Sequence, residues 1–247
     1  MSLYKRLENI RKDRGAIAVA LLDPDTKYDD ILLSMLKLIN LCDFDIIFVG
    51  GSLLSDNKFD RRLKFIKNNS ELPIIIFPGS SNQLSKHADA ILYLSLISGR
   101  NPQYLIGEQV KSAPLIHNLS LETIPTAYIL LEGGIRSSVE VVSDTKPIPM
   151  EKHDIILAHA LAGEYLGKSL VFFESGSGAK EHINCEILSY IKPHLTIPII
   201  VGGGIRTAES AYKLVNSGAD YIVIGSQIED LPTTSELIKF TQAIHHI

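Results

Sequence analysis

Tryptophan is absent, cysteine occurs twice and methionine three times in the 247 residues. Cys42 and Cys185 stand far apart and no CxxC pair exists. A disulfide framework is therefore not expected, and the two thiols read as reduced and buried in a cytoplasmic protein. No apolar run approaches the ~18 residues of a membrane-spanning helix. The N-terminus, MSLYKRLENIRKDRG, lacks the apolar core of a secretory signal. Leu3, Leu7 and Ile10 fall instead on one face of a short amphipathic helix. An excess of positive charge is also missing: the net charge of −4 argues against nucleic acid held on a basic face. The eight histidines form no HxxxH or HxH pair, so no transition-metal site is expected. His153 and His159 read as packing or surface residues, and His245 and His246 as part of a frayed C-terminus. No G-x-S-x-G elbow or Cys–His pair is present, which argues against covalent acyl chemistry.

What is present is an ordinary globular mixture, 45% hydrophobic and 21% charged, at the length of one barrel of eight βα units. Eight short β-type runs follow one another: 16–22, 45–49, 73–77, 90–94, 127–131, 169–173, 198–201 and 221–224. Most are continuously apolar, as strands buried on both faces must be. Helical spacing fills many of the gaps, at 28–40, 153–166 and 208–217. Strand–helix alternation predicts one α/β domain over residues 1–247, a (β/α)8 TIM barrel, with an open doubly wound sheet as the competing layout. The connection GSSNQLSKHAD, Gly79 to Asp89, is short for a helix and two loops, and predicts an irregular crossover after strand three. Strands five and six are joined by a long segment, a candidate cover for a site. The tetrad Gly-Gly-Ile-Arg occurs at 133–136 and 203–206. It follows strands five and seven, not half-barrel spacing, and reads as coincidence.

The glycines concentrate where strands end. Strand seven runs into Gly202, Gly203, Gly204, Ile205 and Arg206, and strand eight into Gly225 and Ser226. Glycine lets backbone N–H groups approach an anion, a following helix adds its N-terminal dipole, and phosphate sites in such barrels recur after these two strands. Strand six ends in Phe172, Phe173, Glu174, Ser175, Gly176, Ser177 and Gly178, which adds hydroxyls, N–H groups and a carboxylate. Glu174 could take a proton from a substrate hydroxyl or hold that hydroxyl; pairing with Arg206 is the structural alternative. Strand one ends in Asp23-Pro24-Asp25 and strand two in Gly50-Gly51-Ser52. Asp25 or Thr26 could cap the next helix. Asp23 with Ser52 would suit Mg²⁺, which keeps waters and is completed by substrate phosphates, and so implies a second, polyphosphate substrate.

In this order, LLDPD (21–25), GGS (50–52), TKPIP (145–149), FFESGSGA (172–179), VGGGIR (201–206) and GSQI (225–228) resemble the geranylgeranylglyceryl phosphate and heptaprenylglyceryl phosphate synthases over essentially the whole chain. The resemblance implies a barrel with a loop in place of one helix. It implies a prenyltransferase that joins sn-glycerol 1-phosphate to a polyprenyl diphosphate, geranylgeranyl diphosphate foremost, through an ether bond and releases diphosphate. Asp23 and Ser52 would hold Mg²⁺, with Asp23 and Glu174 as the catalytic pair. Phe172 to Gly178, Gly203, Gly204, Gly225 and Ser226 would hold glycerol 1-phosphate, and the segment around Ser95–Leu105 would wall the prenyl groove. It further implies a homo-oligomer, a dimer or larger, with at most peripheral membrane contact. Two positions depart from the family pattern: Phe172, where the family carries Tyr, and Ser226, where it carries Asn. Phenylalanine lacks the phenol's hydrogen bond. A sugar-phosphate isomerase and a non-catalytic phosphate-binding barrel are the other readings; neither accounts for Asp23, Ser52 and Glu174 together.

Overall fold

The computed structural model describes residues 1–245, apart from the side chain of Thr26. Helix α1 (Leu3–Arg14) precedes eight parallel strands, β1 (Ile17–Leu22), β2 (Ile46–Val49), β3 (Ile74–Ile76), β4 (Ala90–Leu96), β5 (Glu122–Leu130), β6 (Leu170–Glu174), β7 (Ile199–Gly202) and β8 (Tyr221–Ile224). Each pairs with the next and β8 closes on β1, with Ile17 opposite Tyr221 and Ala20 opposite Ile224. The expected closed barrel is the observed fold, and the open sheet is excluded. Its outer helices are α2 (Leu32–Leu41), α3 (Phe59–Asn69), α4 (Glu108–Leu119), α5 (Ser138–Ser143), α6 (His153–Tyr165), α7 (Cys185–Ile191), α8 (Ala208–Asn216), α9 (Ser226–Glu229) and α10 (Thr234–His245).

Strand alternation sorts the apolar residues into two shells. Ile17, Val19, Phe48, Leu170, Phe172 and Val223 fill the barrel interior. Ala18, Ala20, Val171, Phe173, Val201 and Ile222 face the helices. Four rings crowd one interior level. Phe77 stacks on Phe172 at 5.1 Å and 20°, Tyr128 meets Phe172 edge-on at 5.4 Å, and Phe48 lies 6.2 Å from Phe77. Offset and edge-on pairs at such spacing are favourable beyond their buried area.

Helix α1 seals the end of the barrel from which the strands start. Its first free N–H groups, those of Leu3 and Tyr4, donate to the Glu122 carboxylate at 2.7 and 2.9 Å, satisfying donors every helix start leaves open. Tyr4 Oη donates to Ser169 O, and Arg11 pairs with Asp220 at 2.8 Å. Strand β5 therefore starts at Glu122, five residues before the apolar run suggests. The polar Glu122 and Thr123 and the Pro125 ring hid that extension.

No helix joins β3 to β4, as expected. The crossover is pinned instead by side chains: Gln83 Nε2 donates to Gly51 O at 2.6 Å, and Ser85 Oγ donates to Asp60 at 2.7 Å. The long segment after β5 is more ordered than a loop. It forms α5, where Ser137 accepts from Glu140 N, and then Ile148 pairs beside Leu131. At His245 the structure departs from the expected fraying. His245 is 4% exposed, and its Nε2 lies 2.8 Å from Asp45 Oδ2, which also accepts from Ala18 N. His246 lies outside the described residues.

Candidate functional site

The strand ends opposite α1 enclose a cavity of about 570 Å³. Asp23, Ser52, Glu174, Gly203, Gly204 and Gly225 all line it, together with Ser177, Gly178 and Ser226. Where no helix joins β3 to β4, the cavity continues over the barrel's flank, and Leu84, Ile91, Tyr93 and Tyr104 supply an apolar wall there. Of the segment Ser95–Leu105, Leu96 and Tyr104 take part. Tyr104 Oη donates to Val142 O at 3.2 Å, which ties that wall to α5.

Glu174 is the last residue of β6 and points inward, between Leu130 and Gly202 of the neighbouring strands. It is 6% exposed. Burial pushes its carboxyl up to about 7, against the opposing hydrogen bond from Gly176 N at 2.7 Å. A carboxyl so placed changes charge near neutrality and suits proton transfer. Gly203 must be glycine: its φ is 84°, and a Cβ there would lie 2.6 Å from Glu174 Oε1. Arg206 donates to Ala179 O at 3.0 Å, and among the described residues no ion pair joins it to Glu174. Both Gly-Gly-Ile-Arg tetrads brace the same loop: Gly133 O accepts from Lys180 N, and Arg206 reaches Ala179.

Alternation along β6 corrects one expected ligand. Phe173 turns outward into the helix layer, and its side chain is fully buried there. Phe172 points inward but forms the floor under the cavity rather than its lining. The Ser175 hydroxyl is buried without a hydrogen-bond partner, and Gly176 serves Glu174 through its N–H. Tyr128, which sits opposite Phe172 in the β5–β6 register, does line the cavity. Burial and the neighbouring Glu174 charge hold its phenol well above the ordinary range. No sequence cue pointed to it, since a tyrosine in an apolar run reads as core.

Across the cavity, Asp23 follows β1. Its Oδ1 is buried with no hydrogen-bond partner, while Oδ2 lies 3.5 Å from Lys27 Nζ. Burial raises the Asp23 pKa, and Lys27 counteracts that. A Cβ at Gly51 would come within 2.7 Å of Asp23 Oδ1, so the glycine preceding Ser52 keeps room for the carboxylate. Asp25 caps no long helix. Its carboxylate accepts from Lys27 N at 3.2 Å, and from Ser55 N and Oγ at 3.0 and 2.7 Å. The side chain of Thr26, the other expected cap, is outside the described residues. Helix α2 starts without a side-chain cap. Tyr28 Oη donates to Glu229 at 2.6 Å, locking the loop after β1 to α9 across the barrel seam. Lys27, Tyr28 and Glu229 escaped the sequence reading; the four-residue spacing of Asp23 and Lys27 was the available signal.

Among the described residues no group of three or more His, Cys, Asp or Glu side chains could hold a metal ion by itself, and no helix is long and apolar enough to cross a membrane.

The chain is 43% identical over 236 residues to a geranylgeranylglyceryl phosphate synthase of Chitinophaga pinensis, covering 95% of this chain and 93% of that one. It is 40% identical over 235 residues to the synthase of the same name from Pyrococcus horikoshii, covering 95% and 92%. Among solved structures, the (S)-3-O-geranylgeranylglyceryl phosphate synthase of Thermoplasma acidophilum, in complex with its substrate sn-glycerol-1-phosphate, superimposes with a TM-score of 0.91 at 34% identity over all of both chains. Residues 8–243 match the model of the PcrB family. With barrel, cavity and sequence in agreement, the chain belongs to the PcrB family, in company with these synthases.

Proposed function

We propose that this protein is a prenyltransferase that joins sn-glycerol 1-phosphate to a polyprenyl diphosphate, geranylgeranyl diphosphate foremost, forming an ether and releasing diphosphate. The observation that carries this reading is the pairing, in one cavity, of a glycine-rich anion cradle around Glu174 with an Asp23 carboxylate across from it whose buried Oδ1 has no hydrogen-bond partner, both open to an apolar groove on the barrel flank.

Glycerol 1-phosphate would lie with its phosphate against the backbone N–H groups of Ser177, Gly178, Gly203, Gly204, Gly225 and Ser226. Such groups at glycine-rich turns and helix starts favour anions without needing a lysine. The attacking hydroxyl would face Glu174. As its oxygen bonds to the allylic C1, the C1–O bond to diphosphate breaks, and the hydroxyl proton passes to Glu174. The electrophile is carbocation-like, so holding the hydroxyl in line contributes more than strong deprotonation.

Asp23 and Ser52 fit Mg²⁺: a buried oxygen without a partner and a hydroxyl in the same cavity are hard oxygen donors, and substrate phosphates would complete the shell. Bound there, Mg²⁺ would stabilise charge on the departing diphosphate. The prenyl tail would lie along Leu84, Ile91 and Tyr104. Exposed apolar side chains near that flank, Ile106 and Val110 among them, support a homo-oligomer.

The test is a transfer assay with radiolabelled sn-glycerol 1-phosphate and a ladder of prenyl diphosphates. An organic-extractable product that EDTA abolishes supports the reading and names the chain length. No product with any donor, from folded protein that binds glycerol 1-phosphate, sinks it in favour of a phosphate-binding barrel.

A further inference from the structure

Glu174 and the glycine-rich turns serve one anion, and Asp23 faces the other. A diphosphate ester carries more negative charge than one Mg²⁺ neutralises, and Asp23 adds to that charge. Glu229 and Asp230 also line the cavity on the α9 side. An anion drawn to this corner needs a further cation. Of the described residues lining the cavity, only Lys27 and Arg206 carry a fixed positive charge. Arg206 follows Gly203 and Gly204 and is tied to Ala179 O, on the glycerol-phosphate side. Lys27 stands beside Asp23.

Lys27 is also held in an unusual way for a surface lysine. Its Nζ lies 3.5 Å from Asp23 Oδ2 and 4.6 Å above the Tyr28 ring. That ring is anchored by its own hydrogen bond to Glu229. The aromatic face attracts the ammonium and lays it along the cavity wall. An exposed ion pair with Asp23 alone contributes little to stability, so stability gives a weak reason for this arrangement.

We propose that Lys27 is a diphosphate-binding residue: it leaves Asp23 when a divalent cation arrives there and donates a hydrogen bond to the departing diphosphate. This assignment rests on the prenyltransferase reading. A cation at Asp23 would repel the ammonium, and the substrate's diphosphate would receive it. The lysine thus occupies the carboxylate in the empty enzyme and neutralises the leaving group in the loaded one. No proton is transferred, and Lys27 stays protonated throughout.

The test is calorimetric titration of wild type, Lys27→Met and Lys27→Arg with magnesium pyrophosphate and, separately, with sn-glycerol 1-phosphate. Loss of one charge-assisted hydrogen bond should weaken pyrophosphate about 10- to 100-fold in Lys27→Met. Lys27→Arg should recover most of that, and glycerol 1-phosphate should bind all three proteins alike. Equal pyrophosphate affinity in wild type and Lys27→Met overturns the assignment. Parallel loss of both ligands in Lys27→Met overturns it too, because the residue then only holds the loop. A wild type that binds no pyrophosphate with Mg²⁺ overturns the prenyltransferase reading along with it.

Discussion

Gly203 and Glu174 come from adjacent strand ends and leave each other no spare room: a Cβ on residue 203 would lie 2.6 Å from Glu174 Oε1 and 2.8 Å from Gly176 N. The missing side chain at 203 leaves room for the carboxylate in the cavity wall, and the φ of 84° is one that glycine adopts without strain. Gly203→Ala therefore meets strain and overlap together. The expected outcome is a stability loss of about 1–3 kcal/mol and strongly weakened glycerol 1-phosphate binding. Urea unfolding with a parallel binding titration checks both.

The buried Glu174 gives two pH signatures. Its ionised form can accept a proton, so activity should rise with pH through about 7. Glu174→Gln should cost about 10²-fold in kcat and flatten that limb. The stability effect has the opposite slope. The native carboxyl titrates near 7 against an ordinary value of 4.5, so the native state holds its proton longer than the unfolded one. This stabilisation is complete below about pH 4.5, declines as pH rises towards 7 and is gone above it. Unfolding curves of wild type and Glu174→Gln across that window should therefore show the wild type's relative advantage shrinking with rising pH.

Much of the barrel was legible because its strands are continuous apolar runs between glycine-rich ends, a pattern that a parallel sheet buried on both faces imposes. The missing helix after β3 was legible from length alone. Strand β5 was not fully so, because Glu122 serves α1 rather than a core, a contact 119 residues away in sequence. At the site, types and strand ends located Asp23, Ser52, Glu174 and the glycines at one cavity. The face each side chain takes was harder to read: Phe172 and Phe173 are chemically alike neighbours, and only the register of β6 against β5 and β7 sends one inward and the other outward. Tyr128 was hidden for the same reason.

The ring at 172 offers a direct probe of the departure from the family's tyrosine. Phe172 is fully buried, with its Cε2 and Cζ edge near Gly202. Phe172→Tyr should leave turnover equal or better, with KM for glycerol 1-phosphate the quantity to follow. A large loss would mean that the stack with Phe77 admits no hydroxyl. Tyr128→Phe removes the phenol that lines the cavity beside Glu174 and should raise the same KM about 5- to 10-fold, the worth of one neutral hydrogen bond.

The C-terminal helix should matter for folding, not for chemistry. His245→Ala removes one partner of the nearly inaccessible Asp45 carboxylate, which keeps Arg14 at 2.8 Å and Ala18 N at 2.7 Å, and opens a gap where the ring was buried. A loss of about 2–4 kcal/mol is expected, read as a lower urea midpoint at unchanged slope, with KM values retained in protein that remains folded.

The central claim is that one cavity holds two separate anion pockets, and calorimetry on Asp23→Asn tests it most directly. That variant should bind sn-glycerol 1-phosphate within about twofold of wild type, lose Mg²⁺-dependent pyrophosphate binding and turn over at least about 10²-fold more slowly. If Asp23→Asn loses both ligands together while remaining folded, or keeps both with full Mg²⁺ dependence, the division of the cavity between Asp23 and Glu174 is wrong.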